Sequence, residues 1–192
     1  MSTTTVRNQG QQSAQKIVPR YIAHLVLRTR RVRELVDWYI RVFQAQTVFD
    51  NGSLAFLYFD NEHHRIAIGE PPGGLEPPNP RAAGIDHVAF SYASLPELLA
   101  TYKRLKSEGI LPYFKIDHGP TTSIYYKDPD GNQVELQVDN FDSREEAHRY
   151  FKSSAFAVNP LGVEIDPDEL LARLEAGTDP RALLSFGTRD KL

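Results

Sequence analysis

From residue 20 onward, stretches with strand-like and helix-like spacing of apolar residues alternate along the chain. Branched apolar residues fill 22–29, which predicts a strand. Over 32–45, apolar residues recur one helical turn apart among charged ones, which predicts an amphipathic helix. Three more strands are predicted, at 46–50, 53–59 and 64–70. The first two should form a hairpin, because Asn51-Gly52 between them favours a tight turn.

The same order of elements returns after a stretch rich in proline and glycine. A strand is predicted at 85–92, and the helix predicted at 95–109 has Pro near its start and Gly at its end. Three strands follow, at 111–117, 123–128 and 132–138. When the sequence is shifted by 63 residues, His24 falls on His87, and four helix residues also match: Glu34, Leu35, Tyr39 and Arg41 fall on Glu97, Leu98, Tyr102 and Arg104. We interpret this as an internal repeat.

The repeat predicts an α+β protein built from two βαβββ modules. One such module leaves a sheet face uncovered, so the two should pair, and the cleft between them is the expected place for a functional site. The predicted boundaries are a disordered tail at 1–19, a first module at 20–70, a Pro/Gly linker at 71–84, a second module at 85–140 and a helical C-terminal extension at 141–192.

Composition narrows the function classes. A chain of 192 residues, with 41% hydrophobic and 24% charged residues, can form one compact domain or two small packed modules. The net charge of −3 gives no electrostatic reason to expect nucleic acid or a membrane as partner. The absence of cysteine excludes disulfides, a thiolate nucleophile and iron–sulfur clusters. No apolar run is long enough to span a bilayer or resembles a signal peptide, so we expect a cytoplasmic protein.

Three polar side chains interrupt strands that would otherwise pack well. They are His24, His87 and Glu135. Burying an unpaired imidazole or carboxylate is costly, and one divalent metal could satisfy all three. Two imidazoles and one carboxylate suit non-haem iron(II), with open positions left for substrate and O2. Three ordinary half-exposed strand residues are the other interpretation, but the matching histidines of the repeat favour the metal.

A fourth ligand would change the chemistry. Aligning Leu57-Tyr58-Phe59 with Ile124-Tyr125-Tyr126 makes Ile68 the counterpart of Glu135, so the first module should lack a ligand there. Glu70 lies close by, and a slip in register could bring it in.

The paired modules resemble the vicinal oxygen chelate superfamily, which contains glyoxalases, ring-cleaving dioxygenases and antibiotic-sequestering proteins. Within it, residues 116–135 resemble the signature of extradiol, or meta-cleaving, catechol dioxygenases. Seven residues fall in place: His118, Ile124, Tyr125, Asp128, Pro129, Gly131 and Glu135. The resemblance covers roughly residues 20–140. Two features depart from it, a long proline-rich linker and a single pair of modules where many relatives have four modules.

The resemblance implies two modules paired into a curved open mixed sheet, the glyoxalase/extradiol dioxygenase fold. It implies Fe(2+), or else Mn(2+), held by His24, His87 and Glu135. It further implies that His118 and Tyr125 bind the substrate, and that His64, selected over His63 by the stretch HHRIA, is the acid–base residue. The reaction would insert both atoms of O2 into a catechol-type aromatic diol. Val26, two residues after His24, should face the substrate ring.

Two other functions stay open at this stage. A glyoxalase-like isomerase or lyase would need a fourth ligand, for which Glu70 is the candidate. A metal-free ligand-binding protein of the same fold would have no use for the ligand-like residues. We expect a homo-oligomer whose partners are a small aromatic diol and O2. The apolar residues of the C-terminal extension could cover the cleft, a second subunit or the core: Phe151, Phe156, Leu170, Leu171 and Leu174.

Overall fold

A computed structural model describes residues 17–76, 79 and 81–184 of the chain. Most of the tail predicted at 1–19 therefore lies outside the described residues, as does the end of the C-terminal extension. Within the described part, no helix has the length and apolar character needed to cross a membrane.

The first half of the chain forms a four-stranded sheet with one helix. Its elements are β1 (Leu25–Arg28), α1 (Val32–Phe43), β2 (Gln46–Asp50), β3 (Leu54–Tyr58) and β4 (Ile66–Gly69). The strand order is β1-β4-β3-β2, with β1 parallel to β4 and the other neighbours antiparallel. The hairpin predicted around Asn51-Gly52 is confirmed, and Gly52 takes the positive φ of 86° that the turn requires.

The second half repeats this arrangement and extends it. Its elements are β5 (His87–Tyr92), α2 (Leu95–Ser107), β6 (Phe114–Asp117), β7 (Thr121–Lys127) and β8 (Gln133–Asp139). The C-terminal extension adds α3 (Arg144–Phe151), α4 (Ser154–Val158), β9 (Val163–Glu164), α5 (Pro167–Glu175) and α6 (Pro180–Leu184). The strand order is β5-β8-β7-β6-β9, so the extension contributes an edge strand to the second sheet.

The core lies between the helices and one face of each sheet. Helix α1 buries its apolar side against β3 and β4, and α2 packs against β5 and β8. The extension joins this core through Leu170 and Leu183, whereas Phe151 stays 49% exposed. Of the three roles considered for the extension, core packing is therefore confirmed for its last two helices. The α+β class is confirmed as well, and hydrogen bonding divides the strands between two mixed sheets.

A buried polar contact joins the two halves. The Tyr39 hydroxyl of α1 donates to Asp128 Oδ2, at 3.2 Å, in the turn between β7 and β8. Beside it, Arg31 donates to Asp130 Oδ1 and to the Pro129 carbonyl of the same turn. Burial raises the pKa of Asp128, even though its carboxylate also accepts hydrogen bonds from Asn132. The first helix is thereby fastened to the turn that leads into β8.

Candidate active site

The open face of the second sheet carries most of the predicted functional residues. Along β5, exposure alternates, so that His87 and Ala89 face away from the helices. Strand register places Glu135 beside Ala89, and Tyr125 beside Glu135. Since residues directly opposite on paired strands share a face, His87, Glu135 and Tyr125 lie together on this surface.

His87 and Glu135 form a pair of adjacent donor atoms. Nε2 of His87 lies 2.9 Å from Oε2 of Glu135, whose side chain is only 5% exposed. The other ring nitrogen, Nδ1, is 2.8 Å from Asp86 Oδ2, and this hydrogen bond lowers the pKa of Asp86. A carboxylate at Nδ1 fixes the ring so that Nε2 points at its partner, which is how metal-binding histidines are commonly oriented. The pair fits two neighbouring positions on one ion.

His118 and Tyr125 extend this group along the sheet. The Tyr125 hydroxyl lies 2.9 Å from His118 Nε2, and its ring stands edge-on to His87 with centroids 5.4 Å apart. Burial is the main cause that raises the pKa of Tyr125, and the negative charge of Glu135 raises it further. Tyr125 is therefore a neutral hydroxyl at physiological pH, placed between an imidazole and a carboxylate.

A second histidine cluster lies on the first half. His24, which directly precedes β1, has its ring 4.6 Å from that of His64. Nδ1 of His64 is 2.6 Å from Nδ1 of His63, and the His64 ring lies 5.0 Å from that of Phe56. Loss of hydration lowers the pKa of His64, and the charges of His63 and His24 lower it further. Val26 is 61% exposed near this cluster.

The structure brings together two of the three predicted metal ligands. His87 and Glu135 are paired, whereas the ring contact of His24 is with His64. Among the described residues, no three His, Cys, Asp or Glu side chains are grouped so as to hold a metal ion. Their donor chemistry suits a divalent ion, but the complete predicted set is not assembled in this conformation.

The register corrects the alignment of the two halves. Ala67 pairs with Val26 in the way that Glu135 pairs with Ala89, so Ala67 is the counterpart of Glu135, and the predicted Ile68 is wrong. Ile68 is fully buried on the opposite face. The alignment failed at β3: Phe56 pairs with Ala67 as Tyr125 pairs with Glu135, so the counterpart of Tyr125 is Phe56 and not Tyr58.

The corrected register leaves the first module without a counterpart ligand, because alanine cannot bind a metal. Glu70 follows β4 directly, and its backbone nitrogen donates to the Ser53 carbonyl. Strand alternation assigns it to the side of Ile68, not of Ala67. The register of the structure therefore does not bring Glu70 onto the face of Ala67.

Sequence reasoning missed two contributors to this surface. Asp86, which orients His87, directly precedes it and could have been found by asking what holds the ring. The carbonyl of Leu161, which lies 2.6 Å from His118 Nδ1, left no signal in the sequence, because every residue has a backbone carbonyl.

Comparison with known proteins gives concordant findings. The sequence profile of the Glyoxalase/Bleomycin resistance protein/Dioxygenase superfamily matches residues 21–136. The chain is 48% identical over 156 residues to biphenyl-2,3-diol 1,2-dioxygenase 2 of Rhodococcus globerulus, covering 81% of this chain and 82% of that protein. It is 41% identical over 162 residues to biphenyl-2,3-diol 1,2-dioxygenase 3 of the same organism, covering 84% and 85%.

Solved structures agree at the level of the fold. A glyoxylase/bleomycin resistance protein/dioxygenase domain from Frankia sp. EAN1pec superposes with a TM-score of 0.54 at 18% identity, over 68% of this chain and 99% of that one. Lactoylglutathione lyase from Agrobacterium tumefaciens gives a TM-score of 0.52 at 22% identity, over 62% and 94%.

Proposed function

This chain belongs to the Glyoxalase/Bleomycin resistance protein/Dioxygenase superfamily, and within it we propose that the protein is an extradiol dioxygenase that cleaves the ring of a catechol-type diol with both atoms of O2. The observation that carries the proposal is the grouping of four side chains on one sheet face. His118 Nε2 lies 2.9 Å from the Tyr125 hydroxyl, Tyr125 is the register partner of Glu135, and Glu135 Oε2 lies 2.9 Å from His87 Nε2. These residues belong to the stretch that resembles the extradiol signature and to the strand paired with it. The two biphenyl-diol dioxygenases, similar over most of their length, support the same reaction.

The metal in this proposal is Fe(2+), with Mn(2+) as the alternative, bound by His24, His87 and Glu135. Support comes from the paired donors of His87 and Glu135 and from the repeat, in which His24 holds the place before β1 that His87 holds at β5. A ferrous ion with three protein ligands supplies open positions where a diol and O2 can be held side by side.

The remaining side chains act on the substrate. The Tyr125 hydroxyl, which lies 2.9 Å from His118 Nε2 before substrate binds, can turn its one hydrogen to a diol oxygen held near its register partner Glu135. His118 keeps Tyr125 in place through its Nε2. His64, on the resemblance of HHRIA and its position beside His24, is the group that exchanges a proton with the substrate hydroxyl.

A diol with a second aromatic ring is the substrate class that the surface favours. Three apolar side chains lie on the open face of the first sheet near His64. They are Val26, Phe49 and Phe56, of which Val26 is 61% and Phe49 is 44% exposed. Such a surface can pack against an aromatic ring. A biphenyl diol therefore suits it.

The test is oxygen uptake after anaerobic loading with ferrous iron. The substrates are catechol, 3-methylcatechol and 2,3-dihydroxybiphenyl, with hydroquinone as the control, because its hydroxyls are too far apart to bind one ion. We expect O2 consumption with a yellow ring-opened product for the adjacent diols, highest kcat/KM for the biphenyl diol, and none for hydroquinone. Iron-loaded protein that consumes no O2 with any adjacent diol would refute the proposal.

The glyoxalase-like alternative is tested on the same samples. The adduct of methylglyoxal with glutathione should be left unchanged by the dioxygenase. Isomerisation of that adduct without ring cleavage would favour the alternative instead. The expected homo-oligomer and the cytoplasmic location stay predictions.

A further inference from the structure

The loop that carries His118 is enclosed by residues that follow the two modules. Resting on the proposed function, we infer that the C-terminal extension is part of the active site: the Leu161 carbonyl fixes the ring orientation and tautomer of His118, so that Nε2 faces Tyr125. Leu161 lies beyond the residues 21–136 that match the superfamily. It is a positioning residue, because it reaches the substrate only through His118.

The hydrogen bonds of His118 define its tautomer. Nδ1 lies 2.6 Å from the Leu161 carbonyl oxygen, and Nε2 lies 2.9 Å from the Tyr125 hydroxyl. A carbonyl can only accept a hydrogen bond, so Nδ1 carries the proton. In the neutral ring, Nε2 is then the acceptor and receives the hydroxyl hydrogen of Tyr125. The reversed tautomer would leave the carbonyl without a donor.

Close packing brings the Leu161 carbonyl to this position. Gly162 has a φ of +107°, and a Cβ added there would lie 2.0 Å from the Asp117 carbonyl oxygen and 2.7 Å from the His118 Cα. Glycine is therefore required both for the backbone conformation and for the approach to the His118 loop. The side chain of Asn159 closes the turn, since Nδ2 donates to the Gly162 carbonyl at 2.7 Å and Oδ1 accepts from the Gly162 nitrogen at 3.1 Å.

The other side of the loop is held in the same way. Asn140 donates through Nδ2 to Asp117 Oδ1 and to the Gly119 carbonyl, each at 2.9 Å. The Tyr150 side chain packs so closely on Gly119 that a Cβ there would lie 2.3 Å from its hydroxyl oxygen. Strand β9 continues the enclosure by pairing with β6 at Asp117. The two modules place His118 on the open face, and the extension, together with Asn140 at the end of the second module, sets the orientation of its ring.

The experiment measures the tautomer directly by long-range 1H–15N NMR of the full-length, metal-free protein at mildly alkaline pH, where histidines are neutral. The His118 signals are assigned by their loss in His118→Gln. The wild type should show a protonated Nδ1 and an unprotonated Nε2. Asn159→Ala and Gly162→Ala, which displace the turn, should give a mixture of both tautomers.

Gly177→Ala is the matched control. Gly177 also has a positive φ, of +89°, and lies in the same extension, but among the described residues beyond its chain neighbours no atom lies within 4 Å of an added Cβ. This variant therefore has similar backbone strain and should keep the wild-type tautomer. In the iron-loaded enzyme, Asn159→Ala and Gly162→Ala should lose on the order of 10- to 100-fold in kcat/KM, and Gly177→Ala should not.

The outcomes separate this inference from the proposed function. The tautomer is measured without metal or substrate, so the result for this inference does not depend on whether the protein cleaves a diol. A wild-type His118 protonated on Nε2 would overturn the inference, even if Gly162→Ala failed to fold. So would an unchanged tautomer and unchanged kcat/KM in a folded Asn159→Ala protein. The expected tautomers together with no diol cleavage by the iron-loaded wild type would refute the dioxygenase alone.

Discussion

Replacing Tyr125 by phenylalanine tests the centre of the proposed site with a change of one oxygen atom. The hydroxyl is bonded to His118 Nε2 at 2.9 Å and lies within reach of Glu135, while the ring packs against His87 and Phe114. Phenylalanine keeps the ring contacts and removes only the donor. If Tyr125 donates to a substrate oxygen, the variant should bind and cleave diols poorly but fold normally.

The size of the effect follows from the type of hydrogen bond. A hydrogen bond to a charged oxygen contributes about 1.5–3 kcal/mol, which corresponds to a loss of about 10- to 150-fold in kcat/KM. The free energy of unfolding should change less, because the bond to a neutral imidazole contributes only about 1 kcal/mol. For a chain of this size, that lowers Tm by about 2–4 °C.

The neighbouring tyrosine is the control. Tyr126 points to the opposite face of β7, is fully buried, and its hydroxyl has no hydrogen-bond partner among the described residues. Tyr126→Phe should leave kcat/KM unchanged. It should not lower Tm either, because it removes a buried hydroxyl whose burial no hydrogen bond to a described residue offsets. Both variants are assayed by O2 uptake with 2,3-dihydroxybiphenyl and by thermal unfolding. A Tyr125→Phe enzyme within twofold of the wild type, or an equal loss in Tyr126→Phe, would refute the reasoning.

Three further predictions follow from the described contacts. His64→Phe should retain iron, measured by metal analysis, but lose most of its turnover; full activity would remove His64 from the proton transfers. Glu135→Ala should lose both bound iron and O2 uptake, and a variant with wild-type metal content would exclude this carboxylate as a ligand. Burial raises the pKa of Asp117, so the folded state holds this proton more tightly than the unfolded state does. Its contribution to stability is complete below the unfolded pKa of about 3.9 and is lost as pH rises through the folded pKa. Asp117→Asn, which keeps an acceptor for Gly119 and Asn140, should therefore weaken the decline of Tm above about pH 4; an unchanged pH profile would contradict it.

Much of the fold could be predicted from local patterns in the sequence. The apolar spacing of 32–45 predicted α1, and Asn51-Gly52 predicted the hairpin, because both signals depend on neighbours in the chain. The pairing of His87 with Glu135 was also foreseen, since alternation on paired strands decides which residues share a face.

Contacts between distant segments could not be predicted in the same way. The counterpart of Glu135 was misplaced by one residue, because the length of a connection changes register without changing the pattern of either strand. The contact of His24 with His64 depends on how two loops approach each other. The bond from His118 to Leu161 spans 43 residues and uses a backbone atom, which no side-chain motif can reveal.

Tyr39 and Asp128 make the duplicated halves depend on each other. The carboxylate of Asp128 shapes the turn that leads to Glu135, yet one of its donors comes from the helix of the other copy. A second half folded alone would leave this acceptor to water. The Tyr39–Asp128 bond therefore acts within one polypeptide as an interface contact acts between two subunits, because it fixes the first helix against the turn of the other copy.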